Sequence, residues 1–600
     1  MLRSANLTHI SLILVGLMWV LPFLNYIHEY PITTFYQEWS SALLGVMALT
    51  LLVTRDYWDQ PEIPRIAQFP AALIGVVLLQ WGLGMVAYFD QAMLYILYLL
   101  LGGLLMLLGA RLRERLGIAK TAMVLAIFLL LGAELSALIG VLQHYRWHTP
   151  LDWVISGKVY ASVYGNIGQP NHFANYIALG LISLGLLVQQ QKLRAGYVVL
   201  LAMPLLFVMT LSGSKSSWLY LVMMAGLAGW WARRDPNYRP MLRYCLLLIA
   251  GFGIMHMVVQ LPFMAGEGST TDTLQRLIGD KASSGIRLFD DKDSGGIRLF
   301  LWRESAMMFM QSPWLGVGFG QFAWQHFQML PEMPPLGIQG MYHNAHNLIF
   351  QIAAEAGIAG LAALLLPLGI WLSGLRRSTF EAAHWWGYAA LGVMAIHSLL
   401  EYPLWYAHFM AIAAFLLGML DETRYRLEMR NIGRISVAAI LLLGMVTLVQ
   451  LMGGYRNLEQ ALAISKESGI KAGASDQFRE KLVAIYGKSL LTPNAEVLLT
   501  SLIEVNDDRL KEKLEVNTRV MHYAPIGPVV FRQAYLLAQA NQLELAKSVM
   551  ERAIWCFPGS FGPMHKKMTE MAEKDPEHFS ALLEFALEKA QEYHRAVYKQ

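Results

Sequence analysis

A chain of 600 residues that is 56% hydrophobic and only 15% charged lies outside the range of soluble globular domains, which average about 25% charged and 45–50% apolar residues. Its apolar residues fall in blocks close to the roughly 20 needed to cross a hydrocarbon core of about 30 Å as a helix, so a soluble enzyme, a small secreted scaffold and a fibrous protein are excluded. The net charge of +4 names no partner by itself, and two cysteines, Cys245 and Cys556, make neither a disulfide framework nor a thiolate metal cluster.

In chain order, about thirteen apolar runs bounded by charge or by Pro and Gly read as membrane spans: near 8–25, 38–54, 67–88, 91–110, 119–142, 171–190, 196–211, 216–232, 242–263, 347–372, 384–400, 404–420 and 435–453. The first follows Arg3 without a small-residue cleavage site and reads as a retained signal anchor. The even-numbered gaps collect positive charge, from Arg55 and Arg65 through the Arg111–Lys120 group to Arg424, Arg426, Arg430 and Arg434. The odd-numbered short gaps hold only Arg146, Lys158 and Lys215. The positive-inside rule then puts the N-terminus in the cytoplasm, and an odd span count puts the C-terminus outside, in the periplasm if the cell is bacterial.

The expected fold is therefore an all-α polytopic membrane protein in four stretches. These are N-terminal spans over 1–263, a large outer loop over 264–346, C-terminal spans over 347–453 and an outer helical domain over 454–600. Within the last, RQAYLLAQANQLELAKSVMERAIWCFPGS reads as a helix, a short Asn/Gln turn and a second helix ending before Pro558. It is similar to one tetratricopeptide-type hairpin, with Ala538, Leu545 and Ala546 as packing positions, and equally to any helical bundle. GIRLF occurs at 285–289 and 296–300, a duplication with no architectural period.

Polar residues beside hydrocarbon are costly and call for a role. GNIGQPNHFANY at 165–176 places Gln169, Asn171 and His172 on a turn that glycine and proline keep out of regular helix, with capping by Asn171 as the plainer reading. LSGSKSSW at 211–218 carries Lys215, which snorkels to the interface or meets a phosphate. GGIRLFLW leads to QSPWLGVGFGQF; Arg298 and Trp302, four apart, share a helical face. Its GVGFG lacks the strand and crossover of a nucleotide-binding fold, so the glycines read as a turn returning the segment to the membrane. MYHNAHNLIFQIAAEAGIAG sets His343, His346, Asn344 and Asn347 at the mouth of the tenth span, with Gln351 and Glu355 on later turns. Two histidines could start a metal site, but spacing offers no third ligand; an imidazole at the bilayer surface suits general-base work at neutral pH. HSLLEYPLWYAHF at 397–409 places Glu401, Tyr402 and Tyr406 at an outer end where an aromatic belt is the default reading.

Taken in order, these motifs resemble the Wzy_C superfamily of O-antigen ligases and polymerases. AHNLIFQIAAEAGIAG resembles its histidine-asparagine motif and IRLFLW to PWLGVGFGQF its arginine-bearing loop helix, while GNIGQPNHFANY and EYPLWY are similar to the motifs of the PglL-like bacterial protein O-oligosaccharyltransferases. The resemblance implies an inner-membrane glycosyltransferase moving an assembled oligosaccharide from undecaprenyl diphosphate to a hydroxyl of a periplasmic protein such as pilin, with inversion and no cofactor. Its partners would be the lipid-linked donor, the acceptor protein and the bilayer, with no nucleic acid. It assigns His346 as base, Arg298, helped by Lys215, to the diphosphate, and Gln169 and Tyr406 to orientation; Asn171, His343, Asn347, Trp302 and Glu401 are expected around the substrates. Ser214-Lys215 stands where the family usually has Ser-Arg, keeping charge but losing the bidentate fork. A lipopolysaccharide ligase or O-antigen polymerase would use similar chemistry. A transporter would need more ionisable residues deep in its spans.

Overall fold

The computed structural model describes residues 2–59, 61–158, 162–261, 264, 293–333, 340–377, 379–427, 429–468 and 472–598. Every apolar run lies on a helix, because backbone N–H and C=O groups in lipid must be satisfied within the segment that carries them. Among the described residues, eight helices are long and apolar enough to cross a membrane, fewer than the thirteen runs. Others are shorter: Ala407–Leu420 has 14 residues, about 21 Å at 1.5 Å per residue, less than the core thickness of about 30 Å. Leu247, Leu366 and Leu442 stand exposed on the outside of the bundle, whereas Trp19, Trp385, Trp386 and Phe173 fill its interior.

Two helices of the centre, Phe89–Leu116 and Ala407–Leu420, approach backbone to backbone. A Cβ at Gly418 would fall 1.9 Å from the Met106 carbonyl oxygen, and one at Gly109 would fall 2.2 Å from that of Phe415. Small residues permit this approach, which in a membrane substitutes dispersion contacts for the missing hydrophobic drive.

The two ends of the bundle differ in chemistry. At one, the strand Glu62–Pro64 pairs antiparallel with Arg424–Arg426, Arg111 meets Asp56 at 2.8 Å and Arg113 meets Glu422 at 2.8 Å. These contacts gather the even-numbered, arginine-rich gaps. The odd-numbered gaps and the tail gather at the other end, where Tyr455 stacks on Phe35 with centroids 3.7 Å apart and Tyr36 donates to Glu459 at 3.0 Å.

No break separates the last span from the tail, since one helix runs from Arg430 to Ser468 through the expected boundary near 454. The tail's described residues form helices joined by turns and short loops. Its hairpin forms from Gly527–Gln539 and Leu543–Cys556 around Asn541, whose φ is +58°. Ala538 and Ala546 are buried as expected, but Leu545 is 58% exposed; one residue before Ala546, it points about 100° round the helix from the packing face. The tail rests on the large loop: Trp324 stacks on His522 at 4.0 Å, Phe327 is buried in the tail's apolar cluster, and Arg552 donates to the Gln328 carbonyl at 3.1 Å. Of the two GIRLF copies, 296–300 lies on the helix Asp293–Gln311, and 285–289 lies outside the described residues. Cys245 and Cys556 are both free thiols.

The helix Leu348–Gly374 is interrupted at Gly357, with φ +60° and ψ −153°. The QSPWLGVGFG loop fills the interruption. Ile358 and Ala359 N–H groups donate to the carbonyls of Pro313 and Trp314 at 2.8 and 3.0 Å, and Val317 and Gly318 donate to Ala354 and Glu355 at 2.9 and 3.1 Å. The loop thus supplies backbone hydrogen-bond partners on both sides of the break, as irregular backbone away from water requires. A Cβ on Gly357 would meet the Pro313 oxygen at 2.6 Å.

Candidate active site

The Asn347 side chain starts the helix Leu348–Gly374 by accepting from the N–H groups of Ile349 and Phe350 at 3.0 and 3.2 Å, the usual work of an N-cap. Its own amide donates to the Leu399 carbonyl at 3.0 Å and ties the cap to the Glu401 turn. His346, immediately before, has φ +52°, a left-handed conformation uncommon outside glycine. Its N–H donates to Asn344 Oδ1 at 2.8 Å, and the preceding Ala345 N–H donates to the buried Gln351 side chain at 2.6 Å. Trp302, on the helix Asp293–Gln311, donates to the Ala345 carbonyl at 3.1 Å and stacks on Phe350. The tight loop is therefore held from both sides, which lets the strained backbone persist.

The imidazole so placed points at Glu401. His346 Nδ1 lies 2.9 Å from Glu401 Oε2, while Oε1 accepts from Arg298 at 3.0 Å and from Asn171 Nδ2 at 2.8 Å. Glu401 is 3% exposed. Burial alone would raise its carboxyl, but the His346 hydrogen bond and the charges of His346, His172 and Arg298 outweigh that and hold it at about 2. Arg298 and Trp302 do share one helical face, one reaching Glu401 and the other the His346 loop.

The remaining candidates take different places. The N-cap of the helix Pro170–Gln189 is Gln169, whose Oε1 accepts from the His172 N–H at 2.6 Å; Asn171 is thereby left to face Glu401. Tyr402 stands edge-on to His346 at 5.0 Å and beside Tyr406 at 5.8 Å. Lys215 occupies the N-cap position of the helix Ser216–Arg234, without a side-chain capping bond. His343 is exposed, apart from the carboxylate that His346 reaches.

Two participants, His397 and Tyr220, escaped the sequence reading. Glu401 was expected near substrate; both its oxygens are engaged by protein groups, so it organises the cluster. His172 Nδ1 lies 2.7 Å from His397 Nε2, and His397 Nδ1 lies 2.8 Å from the Tyr220 hydroxyl. A histidine inside an apolar run such as GVMAIHSLL is the signal that could have found His397. Tyr220 has no such mark.

Beside this cluster lies an apolar cavity of about 890 Å³, lined near the site by Leu348, Ile352, Leu404 and Trp405 and towards the opposite end by Trp230 and Phe380.

Three family profiles match the chain: "O-Antigen ligase" (Wzy_C) over residues 198–365, "Protein glycosylation ligase" (PglL_A) over 163–188, and "Virulence factor membrane-bound polymerase, C-terminal" (Wzy_C_2) over 385–570. A general O-oligosaccharyltransferase of Acinetobacter baylyi is 28% identical over 453 residues, 73% of this chain and 74% of that protein. A ComP-specific O-oligosaccharyltransferase of the same organism is 22% identical over 398 residues, 65% of this chain and 67% of that protein. The chain is accordingly a multi-pass membrane enzyme of the glycosyltransferase class. Within that class its likeness is to the PglL-like O-oligosaccharyltransferases of the Wzy_C superfamily, as the motifs indicated.

Proposed function

We propose that the enzyme transfers a preassembled oligosaccharide en bloc from undecaprenyl diphosphate to a Ser or Thr hydroxyl of periplasmic proteins, pilin among them. It would do so at the outer face of a bacterial inner membrane crossed about thirteen times. The observation that carries this reading is the His346–Glu401–Arg298 cluster at one end of an apolar bundle. With Nδ1–H donated to Glu401, a neutral His346 keeps its Nε2 lone pair for the acceptor proton, the logic of a carboxylate-oriented histidine base. The acceptor oxygen attacks the anomeric carbon from the face opposite the diphosphate. The carbon–oxygen bond to phosphate breaks, its electrons stay on the diphosphate, and the hydroxyl proton passes to His346, giving inversion.

Arg298 commits one terminal nitrogen to Glu401 and is about one-third exposed, so its other donors are available to the leaving diphosphate, with Lys215 adding charge. The apolar cavity supports this reading by offering room for a polyprenyl tail. The tail domain, seated on the loop that carries Arg298, is proposed to select the acceptor. A lipopolysaccharide O-antigen ligase is the second reading, favoured by the profile match over 198–365. Mass spectrometry of periplasmic and pilus proteins with and without the gene separates the two. An oligosaccharide increment on Ser or Thr that vanishes with the gene supports protein transfer; loss of O-antigen from lipopolysaccharide alone supports the ligase.

A further inference from the structure

His172 is 3% exposed, and His397 and Tyr220 behind it are fully buried among apolar helices. Such a chain of polar groups is tolerated when each donor meets an acceptor, so the order of its protons matters. The fully buried Tyr220 hydroxyl makes its hydrogen bond, at 2.8 Å, to His397 Nδ1. A buried phenol O–H needs an acceptor, and so the Tyr220 O–H donates to His397 Nδ1. His397 then carries its proton on Nε2 and donates to His172 Nδ1, which leaves His172 as the Nε2–H tautomer.

Among the described residues that N–H has no partner. The ring bearing it stands edge-on to Tyr402 at 5.7 Å and to Tyr406 at 5.1 Å, next in sequence to the Asn171 that donates to Glu401. Because the two nitrogens of an imidazole diverge, Nε2 faces away from His397.

We infer that His172 contacts substrate, its Nε2–H donating to an oxygen of the lipid-linked donor, and that His397 and Tyr220 are positioning residues that fix its tautomer and ring plane. This rests on the proposed transfer reaction.

The test uses the full-length enzyme in lipid nanodiscs, with transfer kinetics and with binding of two probes: the complete lipid-linked oligosaccharide and undecaprenyl diphosphate alone. His172→Phe keeps the ring packing and removes the donor. It should lower kcat/KM for the donor about tenfold or more, the effect of one lost hydrogen bond in a dry site, with acceptor KM unchanged; the His397 N–H that it also leaves unpaired should lower the melting temperature. His172→Gln, whose amide can donate from a similar place, should recover part of the loss. Tyr220→Phe should show a smaller loss in the same parameter. Weaker binding of both probes places the oxygen on the diphosphate; weaker binding of the complete donor alone places it on the sugar. Wild-type behaviour of His172→Phe, or equal loss in the Phe and Gln variants with both probes bound normally, overturns the inference. A wild-type enzyme that binds neither probe instead overturns the transfer reaction on which it rests.

Discussion

His346 and Glu401, 55 residues apart in the chain, meet through a 2.9 Å hydrogen bond between Nδ1 and Oε2. The same carboxylate holds Arg298 through its other oxygen, so one buried group sets the position of both the expected base and the expected diphosphate contact.

His346→Ala should insert normally, bind the lipid-linked donor and fail at transfer, with the single-turnover rate reduced about 10²–10⁴-fold. The variant should be compared with the wild type at matched protein level and saturating substrates. Near-normal transfer would remove His346 from the chemical step and make His343 the next residue to replace.

Glu401→Gln should lower kcat and raise the donor KM together, because it loosens His346 and Arg298 at once. It also predicts a pH signature. The Glu401 carboxyl is depressed from 4.5 to about 2, so its ionised form stabilises the fold; that stabilisation is full above about pH 4.5 and lost as pH falls towards 2. Thermal unfolding followed across this window should show an acid-sensitive component in the wild type that is missing from Glu401→Gln.

Arg298→Lys keeps the charge but gives up the planar fork that binds Glu401 and, in the proposed reaction, a phosphate. Donor affinity measured by titration should fall while acceptor KM stays put. Lys215→Arg, which restores the residue usual in the family, should be tolerated. A sharp loss of donor binding in Lys215→Arg would count against its role at the diphosphate.

Gly357→Val places a branched side chain at positive φ and against the Pro313 carbonyl, a combination costing about 1–3 kcal/mol or more. Melting temperature should drop, and the 313–320 loop should become sensitive to limited proteolysis. Gly369, on the same helix, has open space within 4 Å of where a Cβ would stand, so Gly369→Val supplies the control.

A reporter active only in the periplasm should work when fused after residue 600 and fail when fused near Arg234. The opposite result would invert the proposed topology and move the site to the cytoplasmic face.

The helical class was legible because apolar runs of membrane length leave the backbone few other options, and the gathering of arginines in alternate gaps matched the pairing of Glu62–Pro64 with Arg424–Arg426. His346, Arg298 and Asn171 stood out because polar residues beside hydrocarbon are conspicuous. Their mutual arrangement was not, since it depends on which helix ends meet in space. Gln169 rather than Asn171 caps its helix, a choice settled by Glu401 claiming the Asn171 amide. Tyr220 resembles any interfacial tyrosine until His397 is placed against it. Span lengths were hardest to read: the run near 404–420 becomes a helix of 14 residues, and composition does not fix where a helix ends.

The unbroken helix from Arg430 to Ser468 acts as a phased shaft. Each residue added to it would turn the tail by about 100° and lift it about 1.5 Å. A single alanine inserted between Tyr455 and Lys466 would swing His522 away from Trp324, whereas seven residues, nearly two whole turns, would restore the bearing at a greater height. Angular register between membrane and tail is thus encoded in the length of one helix, and acceptor choice should track that angle more closely than the height.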